Sequence, residues 1–300
     1  MKKKALHGKD QDRIVARRLR KDRLVLGGTI FLTLLTVSPI ILIIYKLVEK
    51  GYRQLSFEFL VHTTPSTFDA MMAVGSGERI PGGIANGVVG TLVMVLMASI
   101  LAIPLGVITG IFLYENPGKR LSGFVRDTSD ILQGVPSIVL GLISYMWVVR
   151  HITGGYSALA GSVSLSIMML PMIVRSTEET LKMIPVTIKE AGMALGTPYH
   201  KVILRVLIPT GFGGLFTGIL LGLSRILGET APLMLTALGS SIINLDITKP
   251  TSAVPLLIWE FYNDPNMVDL IWSSSLLLMI IILLLNFTAK RIASRRKATI

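Results

Sequence analysis

Apolar runs long enough to cross a bilayer recur along this chain, and they leave little choice of fold. A hydrocarbon layer of about 30 Å takes about 20 apolar residues in helical form, because backbone N–H and C=O groups there must be satisfied within the segment. Residues 24–47 supply such a run, and 84–113, 128–149, 157–174, 209–227 and 270–287 follow, with polar stretches between them. A chain that is 51% hydrophobic and 16% charged, with mean hydropathy +0.65, is not an ordinary soluble domain. The expectation is an all-α, polytopic membrane protein with six transmembrane helices. The first run is too long for a signal-peptide core and no A-x-A site follows it, so it reads as a retained span.

Charge distribution sets the orientation. The net charge of +12 would suit nucleic acid, but Lys and Arg gather at the ends of apolar runs and not on an aromatic-interleaved face, so no nucleic-acid partner is expected. Six spans put both termini on one side. If that side is the cytoplasm, the N-terminal tail, 114–127, 176–208 and the residues after the sixth run, 288–300, hold 22 of the 30 Lys and Arg. The positive-inside rule therefore places both termini in the cytoplasm. The chain divides into a basic cytoplasmic tail (1–23), a first span with its outer loop (24–83), a core (84–290) with a cytoplasmic loop at 176–209, and a cytoplasmic tail (291–300). Residues 228–268 read as a mixed outer segment.

Candidate chemistry is sparse. The absence of cysteine excludes disulfides and thiolate sites, and the four His are not at ligand spacing, so neither metal nor cofactor is expected. Gly8-Lys9 and Gly118-Lys119 lack the rest of a Walker A motif. No G-x-S-x-G elbow or H-E-x-x-H motif occurs. The chain reads as a non-enzyme: if ATP drives it, a partner holds the nucleotide. Two ionisable groups fall at or within the end of the fifth run, Arg225 and Glu229. Charge inside a membrane is costly and tends to face a polar interior. Spaced four apart, the two share a helix face. They form either a mutual ion pair, in the less favourable order, or an anion-handling pair in a translocation path. Arg175 follows Pro171 at a span end, where topology alone accounts for a cation. A planar guanidinium suits phosphate through paired hydrogen bonds. Gly214, Gly218 and Gly222 recur every fourth residue and predict a face that packs closely on another helix, as do Gly106 and Gly110.

The polar interruption at 190–209 is the most specific feature. Thr187 and Glu190 have capping-box spacing, which predicts a short helix, and Gly196 followed by Pro198 predicts its stop. Glu190-Ala191-Gly192, three residues, Gly196, nine residues, then Val206-Leu207-Ile208-Pro209 resembles the E-A-A…G…I-x-L-P loop of ABC importer permeases. The resemblance implies a type I importer permease fold. It also implies that Glu190, Ala191, Gly192, Gly196 and Pro209 belong to a coupling helix docking on a cytoplasmic ATPase. Segments 131–141 (ILQGVPSIVLG), 171–179 (PMIVRSTEE), 190–198 and 217–238 (TGILLGLSRILGETAPLMLTAL) are similar to the phosphate-importing branch of these permeases. That similarity implies a prokaryotic cytoplasmic-membrane protein with Arg175, Arg225 and Glu229 along a phosphate path. The implied partners are a second homologous permease subunit, two cytoplasmic ATPase subunits and an external phosphate-binding protein. The alternatives are a permease for molybdate or sulfate, and an ion-coupled secondary transporter. The latter would call for inverted repeats with broken helices and intramembrane acids. No such repeat is read here, and Glu229 is its one candidate acid.

Overall fold

In a computed structural model, residues 8–297 are described, and they form two units, one ending at Lys50 and one beginning at Gly51. Helix α1 (Gly8–Gly51) accounts for the first unit. Its 44 residues correspond to about 66 Å, twice the hydrocarbon thickness. The basic stretch expected as a separate tail is therefore helical from Gly8 onward. It continues the same rod beyond what a membrane can cover, since Lys and Arg are good helix formers and no Gly or Pro separates 9–23 from the apolar run.

The second unit begins with two short helices, α2 (Phe57–Val61) and α3 (Thr67–Ser76), capped by the Ser56 and Ser66 hydroxyls, which accept from the Phe59 and Asp69 N–H groups at 3.2 Å each. Helix α4 (Ala85–Glu115) is one continuous crossing. Helix α7 (Ala158–Lys182) runs on through Pro171 and Arg175, so the expected end near 174 is corrected by two turns. A proline inside a membrane helix removes one hydrogen bond without ending the helix, because neighbouring helices hold it in place. A stripe of small buried residues on α4, Ala98, Ala102, Gly106 and Gly110, lies toward α7. A methyl group at Gly106 would meet Ile173, and one at Gly110 would meet Thr177. Close approach of the two backbones is what glycine permits here, as in other membrane helix pairs. The apolar core of Met94, Leu165, Met169, Ile173 and Ile226 lies along this seam.

Two crossings are broken. Helix α5 (Arg120–Gly134) ends before Pro136, and α6 (Ser137–Ser144) continues into a π-helical stretch, Tyr145–Thr153, bent 106° from α5. The expectation of a single span at 128–149 is corrected: helix begins at Arg120, and Pro136, which lacks an N–H and disfavours helix at Val135, breaks it. The other break follows α8 (Val186–Ala194), α9 (Tyr199–Val202, continued by a π-helical stretch Ile203–Leu207) and α10 (Ile208–Thr210). The bend between Tyr199–Thr210 and α11 (Phe212–Leu227) is 72°. By length and composition the described helices give four membrane spans, or six when each bent pair counts as one.

Residues 228–268 are not simply an outer segment. Helix α12 (Ala231–Thr236) packs back against α6 and α7: a methyl group at Gly141 would meet Pro232, and one at Gly161 would meet Leu233. Leu238, at φ 64, then turns the chain into a single bridge with Thr251. This is the one strand-type pairing among the described residues. Helix α13 (Val254–Tyr262) joins α2, α3 and the start of α14 (Val268–Lys297) in a second apolar cluster around Phe59, Ile84, Leu257, Phe261 and Leu270.

Candidate functional site

Helix α7 carries Arg175 and packs against the helix that carries Arg225. Helix α11 lies antiparallel along it: a methyl group at Gly214 would meet Thr180, one at Gly218 would meet Ser176, and one at Gly222 would meet Met169. All three glycines therefore face the same neighbour. Continuing that register, Arg225 lies beside the middle of α7, where its Nη1 approaches Met172 Sδ at 3.8 Å. Glu229 lies past the end of α11, one residue beyond the Gly228 cap. Its Oε1 stands 3.8 Å from Arg225 Nε, longer than a hydrogen bond. The Arg225 side chain is 39% exposed, and the α11 helix of 16 residues spans about 24 Å, less than the membrane core. An exposed guanidinium thus stands in the last turn of a short crossing, with a carboxylate close enough to attract it and too far to saturate it.

Arg175 is placed differently. Its Nε donates to Glu179 at 2.9 Å and its Nη1 to Asp130 of α5 at 3.3 Å. Two carboxylates already balance its charge, on the wall of a cleft of about 180 Å³ lined by Arg126, Asp130, Glu178 and Lys182 among others. Deeper in this cleft is a node that sequence reasoning missed. Glu178, with its side chain 7% exposed, accepts from Arg126 Nε at 2.9 Å and Nη2 at 2.6 Å, and pairs with Lys182 Nζ at 2.6 Å. Arg126 Nη2 also reaches the Leu113 carbonyl at 3.4 Å. One buried carboxylate therefore joins the ends of α4 and α7 to the middle of α5. The only signal in the sequence is the Glu178–Lys182 spacing; the partner 52 residues away has none.

The polar loop forms a short, two-sided helix. Thr187 does not cap it, which corrects the capping-box expectation: α8 begins at Val186 after Pro185, so Thr187 already has helical geometry and cannot take the extended N-cap conformation. Glu190 and Ala191 are exposed, Gly192 is half-buried with Val202 beside it, and Pro209 is exposed on α10. Gly196 ends the turn at φ +74, a left-handed conformation in which glycine carries no Cβ penalty. Met193 and Leu195 add an exposed apolar edge. The opposite face is held inward by Ile188 and Lys189.

Helical crossings with two breaks and an exposed polar loop define a permease subunit of the type I ABC importer class. Residues 102–297 match the family described as "Binding-protein-dependent transport system inner membrane component". The chain is 36% identical over 255 residues to a phosphate transport system permease protein PstA of Xylella fastidiosa (strain 9a5c), covering 84% of this chain and 85% of the relative. A PstA of Yersinia pestis is 34% identical over 283 residues, covering 93% and 92%. A solved inward-facing structure of the MetNI methionine ABC transporter aligns with a TM-score of 0.60 at 24% identity, covering 70% of this chain and 94% of that one, and shares the fold. The chain belongs to the binding-protein-dependent inner membrane components and, among them, to the family of the PstA permeases. It is a multi-pass membrane transport subunit of an ABC transporter complex that contains ATPase and other subunits.

Proposed function

We infer that this chain is the transmembrane permease subunit of an ATP-driven phosphate importer, forming half of the translocation pathway. It sits in the cytoplasmic membrane of a prokaryote with both termini inside. It has no catalytic activity of its own. Its partners are a second homologous permease subunit, two cytoplasmic ATPase subunits and an external phosphate-binding protein. The PstA relatives favour phosphate over molybdate or sulfate. The absence of a Walker A motif supports ATP hydrolysis by other subunits. Broken crossings do occur here, contrary to the expectation from sequence, but type I importer permeases share this fold, so the breaks do not favour a secondary transporter.

The observation that carries the substrate is Arg225: half-exposed beside the middle of α7, with Glu229 at 3.8 Å. A guanidinium so placed can exchange its loose carboxylate contact for a phosphate, to which it offers paired donors. Glu229 keeps the cation partly neutralised when no anion is present. Arg175, already bridged to Asp130 and Glu179, acts at the path's edge by holding α5 to α7. Exposed Glu190, Ala191 and Gly196, with Gly192 beneath and Pro209 closing the loop, form the ATPase coupling element. Phosphate uptake by the assembled complex in proteoliposomes tests this assignment. Arg225→Gln should abolish uptake with the complex intact, and normal uptake would reduce Arg225 to a structural partner of Glu229.

A further inference from the structure

We propose that Lys189 is a positioning residue that ties α8 to the inner end of α4. Movement of α8 is then delivered directly to the α4–α7 seam as well as along its own chain. The proposal rests on the importer assignment for its purpose, though not for its geometry.

Helix α8 is a short rod between two turns. Pro185 begins it, and Gly196 with Pro198 ends it. A rod attached only at such turns would pivot when pushed and would transmit little. The structure supplies a third attachment. Lys189 Nζ donates to both carboxylate oxygens of Glu115, the last residue of α4, at 3.3 and 3.2 Å. The same ammonium lies 5.3 Å from the ring centre of Tyr114 and 4.9 Å from that of Tyr199, within cation–π range of both. Both members of the pair are largely shielded, at 22% and 14% side-chain exposure, so solvent screens the contact less than a surface pair. Ile188 adds an apolar contact in a cluster with Ile111, Tyr114, Leu181 and Leu207.

Helix α8 is therefore divided by face. Glu190, Ala191 and Met193 point outward, while Ile188, Lys189 and Gly192 point to α4 and α9. The last turn of α4 leads back to Gly110 and Gly106, the glycines set against Thr177 and Ile173 of α7. A push on the outer face of α8 thus has a short route into the close-packed contact between α4 and α7.

The experiment uses the assembled complex with cysteines removed from its partner subunits; this chain has none. Spin labels at Thr187→Cys on α8 and Ile108→Cys on α4 report the distance between the two helices with and without ATP. With Lys189 present the distance should not change. In Lys189→Met it should change on ATP addition by at least about 2 Å, the scale of small helix shifts. Lys189→Arg, which keeps the cation, should restore the fixed distance. In the same samples Lys189→Met should lower phosphate moved per ATP by about five-fold or more. A distance that stays fixed in Lys189→Met, or that changes equally with Lys189 present, overturns the proposal. A complex that moves no phosphate even with Lys189 present overturns the importer assignment, while the distance measurement still decides the strut.

Discussion

Glu178 and Asp130 line one cleft, yet their removal should have different consequences. Glu178 is buried and faces two cations, so Glu178→Gln leaves Arg126 and Lys182 without their counter-charge. Breaking such a pair from one side costs roughly 2–3 kcal/mol once partial exposure of the cations is allowed for. Thermal unfolding of the detergent-solubilised protein should show a clear loss. Asp130→Asn breaks only an exposed contact, with side chains 57% and 61% accessible, and should shift the same transition little. Equal effects would mean that burial does not govern the charge contribution here. Gly196 is a third residue-scale case. Its φ of +74 makes Gly196→Ala unfavourable by roughly 1–2 kcal/mol. Gly196→Trp should further block docking and uncouple ATP hydrolysis from uptake, so unchanged uptake in that variant would refute a docking role for the loop.

At the scale of elements, the α11 glycines are the sharpest test of packing. Gly218→Leu places a side chain against Ser176, and Gly214→Leu places one against Thr180. Either should force α11 off α7 and destabilise the protein by about 1–3 kcal/mol, as overpacking does. Gly123→Leu on α5, where a Cβ would meet nothing within 4 Å, is the control and should be tolerated. Comparing complex yield and melting temperature for the three variants checks this. The glycine period was legible in sequence, because three glycines in register on one helix face favour close packing over the general tolerance of Gly in membrane helices. Its neighbour was not: the choice of α7 over another span depends on how the crossings assemble. The breaks were half-legible. Pro136 was there to be seen inside the 128–149 run, but that run read as one span, and the bend of 106° depends on how α6 packs against α12.

For the whole molecule, orientation is the open expectation. With no native cysteine, Lys119→Cys and Ile242→Cys can each be labelled alone with a membrane-impermeant maleimide. If both termini are cytoplasmic, Ile242→Cys reacts in intact cells and Lys119→Cys only after permeabilisation. The reverse pattern would invert the topology and remove α8 from reach of a cytoplasmic ATPase.

Hydropathy alone determined that this chain lives in a membrane and where a polar loop interrupts its apolar runs. The bilayer imposes length and apolarity on each segment separately, so those properties are written locally. Which charges meet was decided by tertiary structure. Arg126 reaches Glu178, Lys189 reaches Glu115, and residues 231–236 fold back against α6 and α7, through contacts between segments far apart in the chain. Such contacts depend on how bent and straight crossings pack together, and no local pattern of residues encodes that.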